Sequence, residues 1–133
     1  MTVLHFTPIK GRTEEIVQNI LDAPEIHEHP EHEFAFHLAF EEIVSNIVCY
    51  AYSPEAEGEM TIEIVESDQQ VIITFKDRGM PFDPLSVAEP DTTLSINERP
   101  VGGLGIFLVR NMMDSVNYTY TDSQNILEIR KNI

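Results

Sequence analysis

The longest apolar-periodic segment of the chain, Phe34–Tyr52, restricts the folds that are open to it. Its apolar residues recur every three or four positions, as they do on one face of an α-helix. That stripe consists of Phe36, Phe40, Ile43, Ile47 and Ala51. A helix with a wide apolar face must bury that face, so we expect this helix to pack across a β-sheet.

Strands for such a sheet are predicted from alternating patterns elsewhere in the chain. Met60–Glu66 and Val71–Asp77 alternate on either side of a short polar turn, which predicts a β-hairpin. Val116–Thr121 and Ile126–Lys131 predict a second hairpin near the C-terminus. Thr2–Thr7 is short and β-prone, and we expect it to form an edge strand.

Two further helices complete the predicted order β-α-α-β-β-lid-α-β-β. Gly11–Leu21 is periodic and stops before a proline, and Val101–Asp114 turns from glycines into an apolar helical run. This order predicts a two-layer α/β sandwich, with a mixed, mostly antiparallel sheet and the helices on one face. With 133 residues, we expect residues 1–133 to form one domain.

Gly102, Gly103 and Gly105 open the last of these helices. Glycines let a ligand approach the backbone closely, and the first N–H groups of a helix lack internal partners, which favours an anion there. Close helix packing also uses small residues, so this stretch alone leaves both interpretations open. The glycines are not a Rossmann fingerprint, because they follow a loop. They are not a P-loop, because no Lys-Ser or Lys-Thr follows.

Two patterns of polar residues indicate candidate catalytic or ligand-binding residues. Glu42 and Asn46 lie four residues apart on one flank of the long helix. On an exposed helix face, the two side chains would simply share a hydrogen bond. In a mostly buried helix, a carboxylate without a basic partner costs free energy, so its presence there favours a functional role. Asp77 ends a predicted strand two residues before Gly79. It forms part of a tight turn, and it is also placed to accept a hydrogen bond from an exocyclic amine such as that of adenine.

The composition limits the classes of ligand and partner that the protein is expected to bind. The net charge is −15 with only eight Lys and Arg residues, which argues against nucleic acid. A polyphosphate would have to be held by backbone N–H groups and a cation. One cysteine, Cys49, excludes an internal disulfide and is typical of a reducing compartment. We expect no signal peptide, no apolar run long enough to span a bilayer and no membrane partner, hence a cytoplasmic protein.

Two segments carry no recognisable motif. Pro24–Glu33 holds His27, His29 and His32, but their spacing matches no zinc pattern. We expect a solvated loop that leads into the long helix, and its role stays open. Leu85–Pro100 has little periodicity and several turn formers, which is typical of a functional lid or a disordered segment.

Three short blocks occur in order along the chain. They are Glu42-x-x-x-Asn46, Asp77-x-Gly79-x-x-Phe82-Asp83-Pro84 and Gly102-Gly103-Leu104-Gly105. Together they resemble the N, G1 and G2 boxes of the histidine-kinase-like ATPase superfamily, which has the Bergerat ATP-binding fold. Within it the chain is most similar to the bacterial anti-sigma factor serine kinases, and the resemblance covers essentially the whole chain.

The resemblance implies a role for each matched residue, and these roles concern ATP and Mg²⁺. Asn46 would ligate Mg²⁺, and Glu42 would be the general base that accepts a proton from a serine hydroxyl or a water. Asp77 would accept the adenine amine, and Gly79 would leave room for the base. The phosphates would be bound by backbone N–H groups and by a lid arginine, supplied by Gly103, Leu104, Gly105 and Arg99.

Two positions depart from the family pattern, and one of them is Gln124-Asn125 in the last hairpin, where Gly-Asn or Gly-Thr is common. Tyr50 stands where a histidine is common, although Tyr52 matches the usual ending of the block. The resemblance further implies a small anti-sigma-factor antagonist and a sigma factor as partners. A homodimer is common in this family, but the sequence leaves the oligomeric state of this chain open.

Two functions of different class remain. In the first, the protein is an ATP-dependent serine/threonine kinase that phosphorylates the antagonist and otherwise holds a sigma factor inactive. In the second, it is a nucleotide-gated module that binds a partner without significant kinase activity. Glu42 favours the kinase, because a pure binding module needs no general base.

Overall fold

The structure is a computed structural model that describes residues 1–86 and 103–133. Its strands and α-helices follow one another as β1 (Thr2–Phe6), α1 (Thr13–Leu21), α2 (Pro24–His27), α3 (Glu33–Asn46), β2 (Met60–Ser67), β3 (Gln70–Asp77), α4 (Gly103–Met112), β4 (Ser115–Thr121) and β5 (Gln124–Asn132). Shorter helical turns are Pro30–His32, Ile47–Ala51 and Pro84–Ser86. The predicted α/β fold is confirmed.

The five strands form one sheet in the order β1-β2-β3-β5-β4. Every described pairing is antiparallel, where the sequence predicted a mixed, mostly antiparallel sheet. β1 lies at one edge, as predicted. Central strands β3 and β5 pair so that Asp77 stands opposite Asn125, which brings two distant parts of the chain together at one end of the sheet.

Both predicted hairpins form, and their strands reach further than the patterns indicated. Asp68 and Gln69 in the first turn have φ of 53° and 63°, and Asp122 and Ser123 in the second have φ of 53° and 61°. Two successive residues with positive φ match the twist of antiparallel strands. Such short turns leave the flanking residues free to pair, which is why each strand continues up to its turn.

Helix α3 packs its predicted stripe on the sheet, and all five stripe residues are buried. Phe36 stacks on Phe40 at 5.6 Å between ring centroids, and Phe40 contacts Phe75 of β3 at 6.2 Å. The helix then widens into a π-helical turn, Ile47–Ala51, which the sequence pattern did not indicate. The ammonium group of Lys10 donates a hydrogen bond to the carbonyl of Val48 at 2.6 Å inside this turn.

The histidine-rich segment is more ordered than predicted. In place of a solvated loop it contains α2 and the 3₁₀ turn Pro30–His32, because Ile26 is buried in the core at 3% exposure and fixes the first of these. His29 hydrogen-bonds Glu66 of β2. Within residues 1–86 and 103–133, no group of three or more His, Cys, Asp or Glu side chains could hold a metal ion.

The expectation of no membrane-length apolar run needs correction. The continuous helical stretch Pro30–Ala51 has 22 residues and a mean hydropathy of 1.2, so it is long and apolar enough to cross a membrane by length and composition. Its apolarity has another cause in this fold, since the same stretch contains the stripe that packs against the sheet. A buried core helix passes the same test.

Candidate functional site

A pocket opens where β3 ends, between the sheet and the helices α3 and α4. Its cavity volume is about 20 Å³ for the centre of a water-sized sphere, within about 360 Å³ of space between atoms that includes open solvent. Most of its wall is apolar, and Asn46, Asp77 and Asn125 contribute side-chain amide and carboxylate groups. The apolar and aromatic wall consists of Ile43, Ile47, Ala51, Phe75, Phe82, Pro84, Ile106, Tyr118 and Leu127. A mostly apolar pocket with a few polar groups is typical of small-molecule sites.

Asp77 is the buried acid of this pocket, with 3% of its surface exposed. Its Oδ1 accepts hydrogen bonds from the backbone N–H of Gly79 and from Nδ2 of Asn125, both at 2.9 Å. From the described part of the chain, Oδ2 receives no hydrogen bond. Burial raises the pKa of Asp77, and the two hydrogen bonds oppose that rise only in part. The pocket therefore offers one unused carboxylate oxygen.

Asn125 is a site residue that the sequence patterns did not indicate. It is 5% exposed and makes four hydrogen bonds. Its Nδ2 donates to Asp77 and, at 2.8 Å, to the carbonyl of Met80. Its Oδ1 accepts from the backbone N–H of Phe82 at 3.0 Å and from the hydroxyl of Tyr118. In the sequence it is only the second residue after a hairpin turn, so no local signal separates it from a surface asparagine.

The loop after Asp77 packs closely on the π-helical turn. A Cβ atom built on Gly79 would lie 2.2 Å from the carbonyl oxygen of Ala51, so any side chain there would collide with backbone. The next residue, Met80, donates its N–H to that same oxygen at 2.8 Å. Gly79 therefore has a packing reason to be glycine that does not involve a ligand.

Two tyrosines, Tyr52 and Tyr50, contact this loop. The hydroxyl of Tyr52 accepts the N–H of Arg78 at 2.9 Å and donates to the carbonyl of Glu59 at 2.8 Å. Tyr50, which departs from the family pattern, stacks on Phe82 with 5.5 Å between ring centroids. The loop therefore has a fixed conformation next to the pocket.

Glu42 and Asn46 lie one turn apart on α3, close enough for the Asn46 amide to favour the charged form of the Glu42 carboxylate. Burial raises the pKa of Glu42, and the Asn46 amide opposes this. Asn46 lines the pocket, whereas Glu42 lines a groove between α1 and α3 together with Thr13 and Ser45. The acid and the amide thus face neighbouring cavities.

The first turn of α4 contacts Glu42. α4 begins at Gly103, and Leu104 and Gly105 belong to its first turn, whose N–H groups have no partner within the helix. A Cβ atom at Gly105 would lie 2.0 Å from Cδ of Glu42. Two residues with predicted roles, Gly102 and Arg99, lie outside the described residues, as does the predicted lid Leu85–Pro100 beyond its first two residues.

The polar groups fit Mg²⁺ in one specific manner. A carboxylate attracts the N–H₂ group of an amide, so an Asn46 amide that turns this group toward Glu42 would leave its oxygen for a cation. Mg²⁺ commonly takes one or two protein oxygens and completes its octahedron with substrate phosphates and waters. The described residues provide no complete protein cage. The site therefore fits Mg²⁺ only together with a phosphate ligand.

Comparison with known proteins agrees with this geometry. The model of the histidine kinase-like ATPase domain matches residues 11–131. The serine/threonine-protein kinase BtrW of Bordetella bronchiseptica is 26% identical over 96 residues, which cover 72% of this chain and 68% of that protein. The serine-protein kinase RsbW of Listeria monocytogenes is 28% identical over 99 residues, which cover 68% of this chain and 60% of that protein.

Among solved structures, the histidine kinase domain of the blue-light activated histidine kinase of Erythrobacter litoralis EL346 has the same fold. It superposes with a TM-score of 0.53 at 17% identity, covering 94% of this chain and 61% of that one. The family model spans most of the chain and includes each described site residue. The chain belongs to the histidine kinase-like ATPase domain family.

Proposed function

We propose that the protein is an ATP-dependent serine/threonine kinase, which phosphorylates a small anti-sigma-factor antagonist and sequesters a sigma factor. The observation that carries the proposal is one pocket lined by Asp77, Asn46 and Ile106 of α4, in which Oδ2 of Asp77 accepts no hydrogen bond from the described residues. The similarity to the serine kinases BtrW and RsbW supports it, although the aligned residues cover only 60% of the RsbW sequence.

The adenine base would enter the apolar part of the pocket. Its exocyclic amine would donate to Oδ2 of Asp77, the oxygen of this carboxylate that accepts no hydrogen bond from the described residues. A buried charge-assisted hydrogen bond of this kind gives both affinity and selectivity. The apolar wall, which includes Phe82 and Ile106, would cover the faces of the ring.

The phosphates would extend from the pocket toward α4. Backbone N–H groups of Gly103, Leu104 and Gly105 would donate to phosphate oxygens, because the start of a helix carries partly positive, unpaired donors. Arg99 would contribute a guanidinium to the γ-phosphate by analogy with the family. With a net charge of −15, the protein depends on such local donors to hold a polyphosphate.

Asn46 would hold Mg²⁺ through its amide oxygen. Bound there, the ion would neutralise negative charge on the phosphates and keep them in line for displacement. Attraction between its N–H₂ group and the Glu42 carboxylate would favour the orientation that presents this oxygen.

Glu42 would act on the nucleophile. Its carboxylate would accept the proton of the serine hydroxyl while the serine oxygen bonds to the γ-phosphorus and ADP leaves with the electrons of the broken bond. Partial burial raises the pKa of Glu42, which makes it a stronger base than an exposed glutamate. The groove along Thr13 and Ser45 would give the protein substrate access to it.

The proposal also includes the cellular location, the role and the oligomeric state of the protein. It would work in the cytoplasm as a regulator of transcription, without binding nucleic acid or a membrane itself, and as a homodimer if it follows its family. Its strongly acidic composition would favour partners with basic surfaces.

The test is transfer of labelled phosphate from Mg²⁺-ATP to the cognate antagonist. Glu42→Gln is expected to keep nucleotide affinity and to reduce transfer by roughly 10²–10⁴-fold, the usual loss for a general base. Glu28→Gln is the control, because Glu28 is exposed and lines neither the pocket nor this groove. Full transfer by Glu42→Gln would refute the base assignment. If the wild type transfers nothing but binds its partner in an ATP-dependent manner, the nucleotide-gated binding module replaces the kinase.

A further inference from the structure

We propose that Lys10 is a positioning residue for the nucleotide pocket. Its ammonium group would hold the turn Ile47–Ala51, which follows α3, in the π-helical form, and this turn supports both a wall of the pocket and the loop that follows β3. The inference rests on the proposed function, because its consequence for activity is nucleotide affinity. Lys10 belongs to none of the three sequence blocks and does not line the pocket.

The connection between β1 and α1 brings Lys10 to the end of the long helix. Nζ of Lys10 donates to the carbonyl of Val48 at 2.6 Å and, more weakly, to that of Tyr52 at 3.5 Å. The connection is itself fixed, since the N–H groups of Ile9 and Lys10 donate to the carbonyl of Glu57 at 3.0 and 3.4 Å. A cation is favourable at this end of a helix, because the last carbonyl groups have no partner within the helix and carry partial negative charge.

The carbonyl of Val48 would have a different partner in a regular α-helix. There it would accept the N–H of Tyr52, four positions later, whereas the bonds of a π-helical turn run to the fifth residue. The ammonium group of Lys10 satisfies this carbonyl without the α-helical bond and so favours the wider turn. Without Lys10 the carbonyl would lose this partner, and the α-helical bond would compete with the π-helical form.

The π-helical turn supports the pocket in two ways. Ile47 and Ala51 line it directly. The carbonyl of Ala51 also accepts the N–H of Met80 at 2.8 Å, and a Cβ atom on Gly79 would lie 2.2 Å from the same oxygen. A rotation of Ala51 would therefore move the loop that follows β3 together with the pocket wall.

The expected effect concerns binding rather than the chemical step. Ile47 and Ala51 belong to the apolar wall, where the proposed function places the adenine base. Glu42 precedes the turn by more than one helical turn and packs against the start of α4. Loss of Lys10 should thus raise KM for ATP and leave kcat at saturating ATP nearly unchanged, which is the sign of lost ground-state binding.

The experiment compares Lys10→Met with a matched variant, Lys131→Met. Nζ of Lys131 donates to the carbonyl of Met112 at 2.7 Å, so it also places an ammonium group at the end of a helix, but Met112 does not line the pocket. Each substitution removes one such contact and keeps an aliphatic side chain. The comparison separates positioning from a general loss of stability, which thermal unfolding measures in both variants.

Two measurements are expected to distinguish the variants. Calorimetry with ADP and Mg²⁺ should show about tenfold weaker binding by Lys10→Met, with KM for ATP raised by a similar factor and kcat within about threefold of the wild type. Hydrogen exchange of the Met80 amide, measured without nucleotide, should be at least about tenfold faster in Lys10→Met, because its acceptor on Ala51 moves. Lys131→Met should match the wild type in each of these measurements.

Two further variants keep the test decisive. Lys10→Gln serves if Lys10→Met does not fold: its amide nitrogen lies one bond closer to the backbone than Nζ, so it should not reach the carbonyl of Val48, and the same losses are expected. Lys10→Arg keeps a cationic donor and should bind ADP within about threefold of the wild type.

The outcomes separate this inference from the proposed function. If folded Lys10→Met or Lys10→Gln binds ADP as the wild type does, Lys10 does not position the pocket, while nucleotide binding stands. If Lys131→Met loses as much affinity as Lys10→Met, the effect is general destabilisation, and the inference is overturned. If the wild type binds no ADP, the proposed function fails, and the exchange measurement alone decides whether Lys10 holds the loop.

Discussion

The carboxyl group of Glu42 lies directly against the Cα atom of Gly105, so that a Cβ atom at residue 105 would stand 2.0 Å from Cδ and 2.2 Å from Oε1 of Glu42. One residue belongs to α3 and the other to the first turn of α4. An alanine at residue 105 would therefore displace the carboxyl end of the flexible Glu42 side chain. The first turn of α4 and the Glu42 carboxyl are thus in direct packing contact.

This contact predicts an unusual coupling between two substitutions. In the wild type, Gly105→Ala must displace the Glu42 carboxyl, so it should stabilise the protein by less than the roughly 1 kcal/mol by which alanine favours a helix over glycine. In a Glu42→Ala background the overlap is gone, and the same substitution should give the full gain. Thermal unfolding of the double-mutant cycle measures this difference. Equal effects of Gly105→Ala in both backgrounds would mean that the two residues do not touch.

The pKa of Glu42 predicts how stability changes with pH. Burial raises this pKa in the folded state, so the protonated form favours folding, and that contribution is lost as the pH rises through the folded-state pKa. Glu42→Gln cannot ionise and should therefore unfold at a higher temperature than the wild type at neutral pH. The difference should shrink toward zero as the pH falls below the unfolded-state pKa. A constant difference at all pH values would contradict the burial of the charge.

Nucleotide binding should also depend on pH through Asp77. An amine donor needs the ionised carboxylate, and burial raises the pKa of Asp77. The affinity for ADP should thus begin to fall, on acidification, at a higher pH than an ordinary aspartate would allow. Titrations at several pH values from about 8 down to 5 measure this onset. A binding constant that is flat across that range would show that the charge of Asp77 does not contribute.

Much of the fold was predictable because its signals are local. The stripe of α3, from Phe36 to Ala51, has a helical period, and the hairpin at β2–β3 has a period of two on either side of a polar turn. Each pattern reports a face that must be buried, and both faces are buried in the structure. The π-helical turn at Ile47–Ala51 has no such signal. Its carbonyl groups accept hydrogen bonds from Lys10 and Met80, which are distant in the sequence and leave no local pattern.

The candidate site was predictable only where its residues stand in short blocks. Glu42, Asn46, Asp77 and Gly79 could be picked out by spacing, by a strand end or by a resemblance. The sequence singles out Asn125 only as part of a hairpin pair that differs from the family pattern. Its contact with Asp77 could not be predicted, because it depends on a pairing with a strand that ends 48 positions earlier in the sequence. Long-range hydrogen bonds of this kind leave no periodic trace.

The most direct measurement is a calorimetric titration of the protein with ADP in the presence of Mg²⁺. The wild type should bind one nucleotide per chain, and Asp77→Asn should bind at least about tenfold more weakly. The reason is that asparagine would keep its oxygen on the N–H of Gly79 and turn an N–H₂ group toward the adenine amine. Asp68→Asn, in the turn at the opposite end of β3, should match the wild type. Absence of binding by the wild type, or equal affinity of Asp77→Asn, would contradict nucleotide binding at this site.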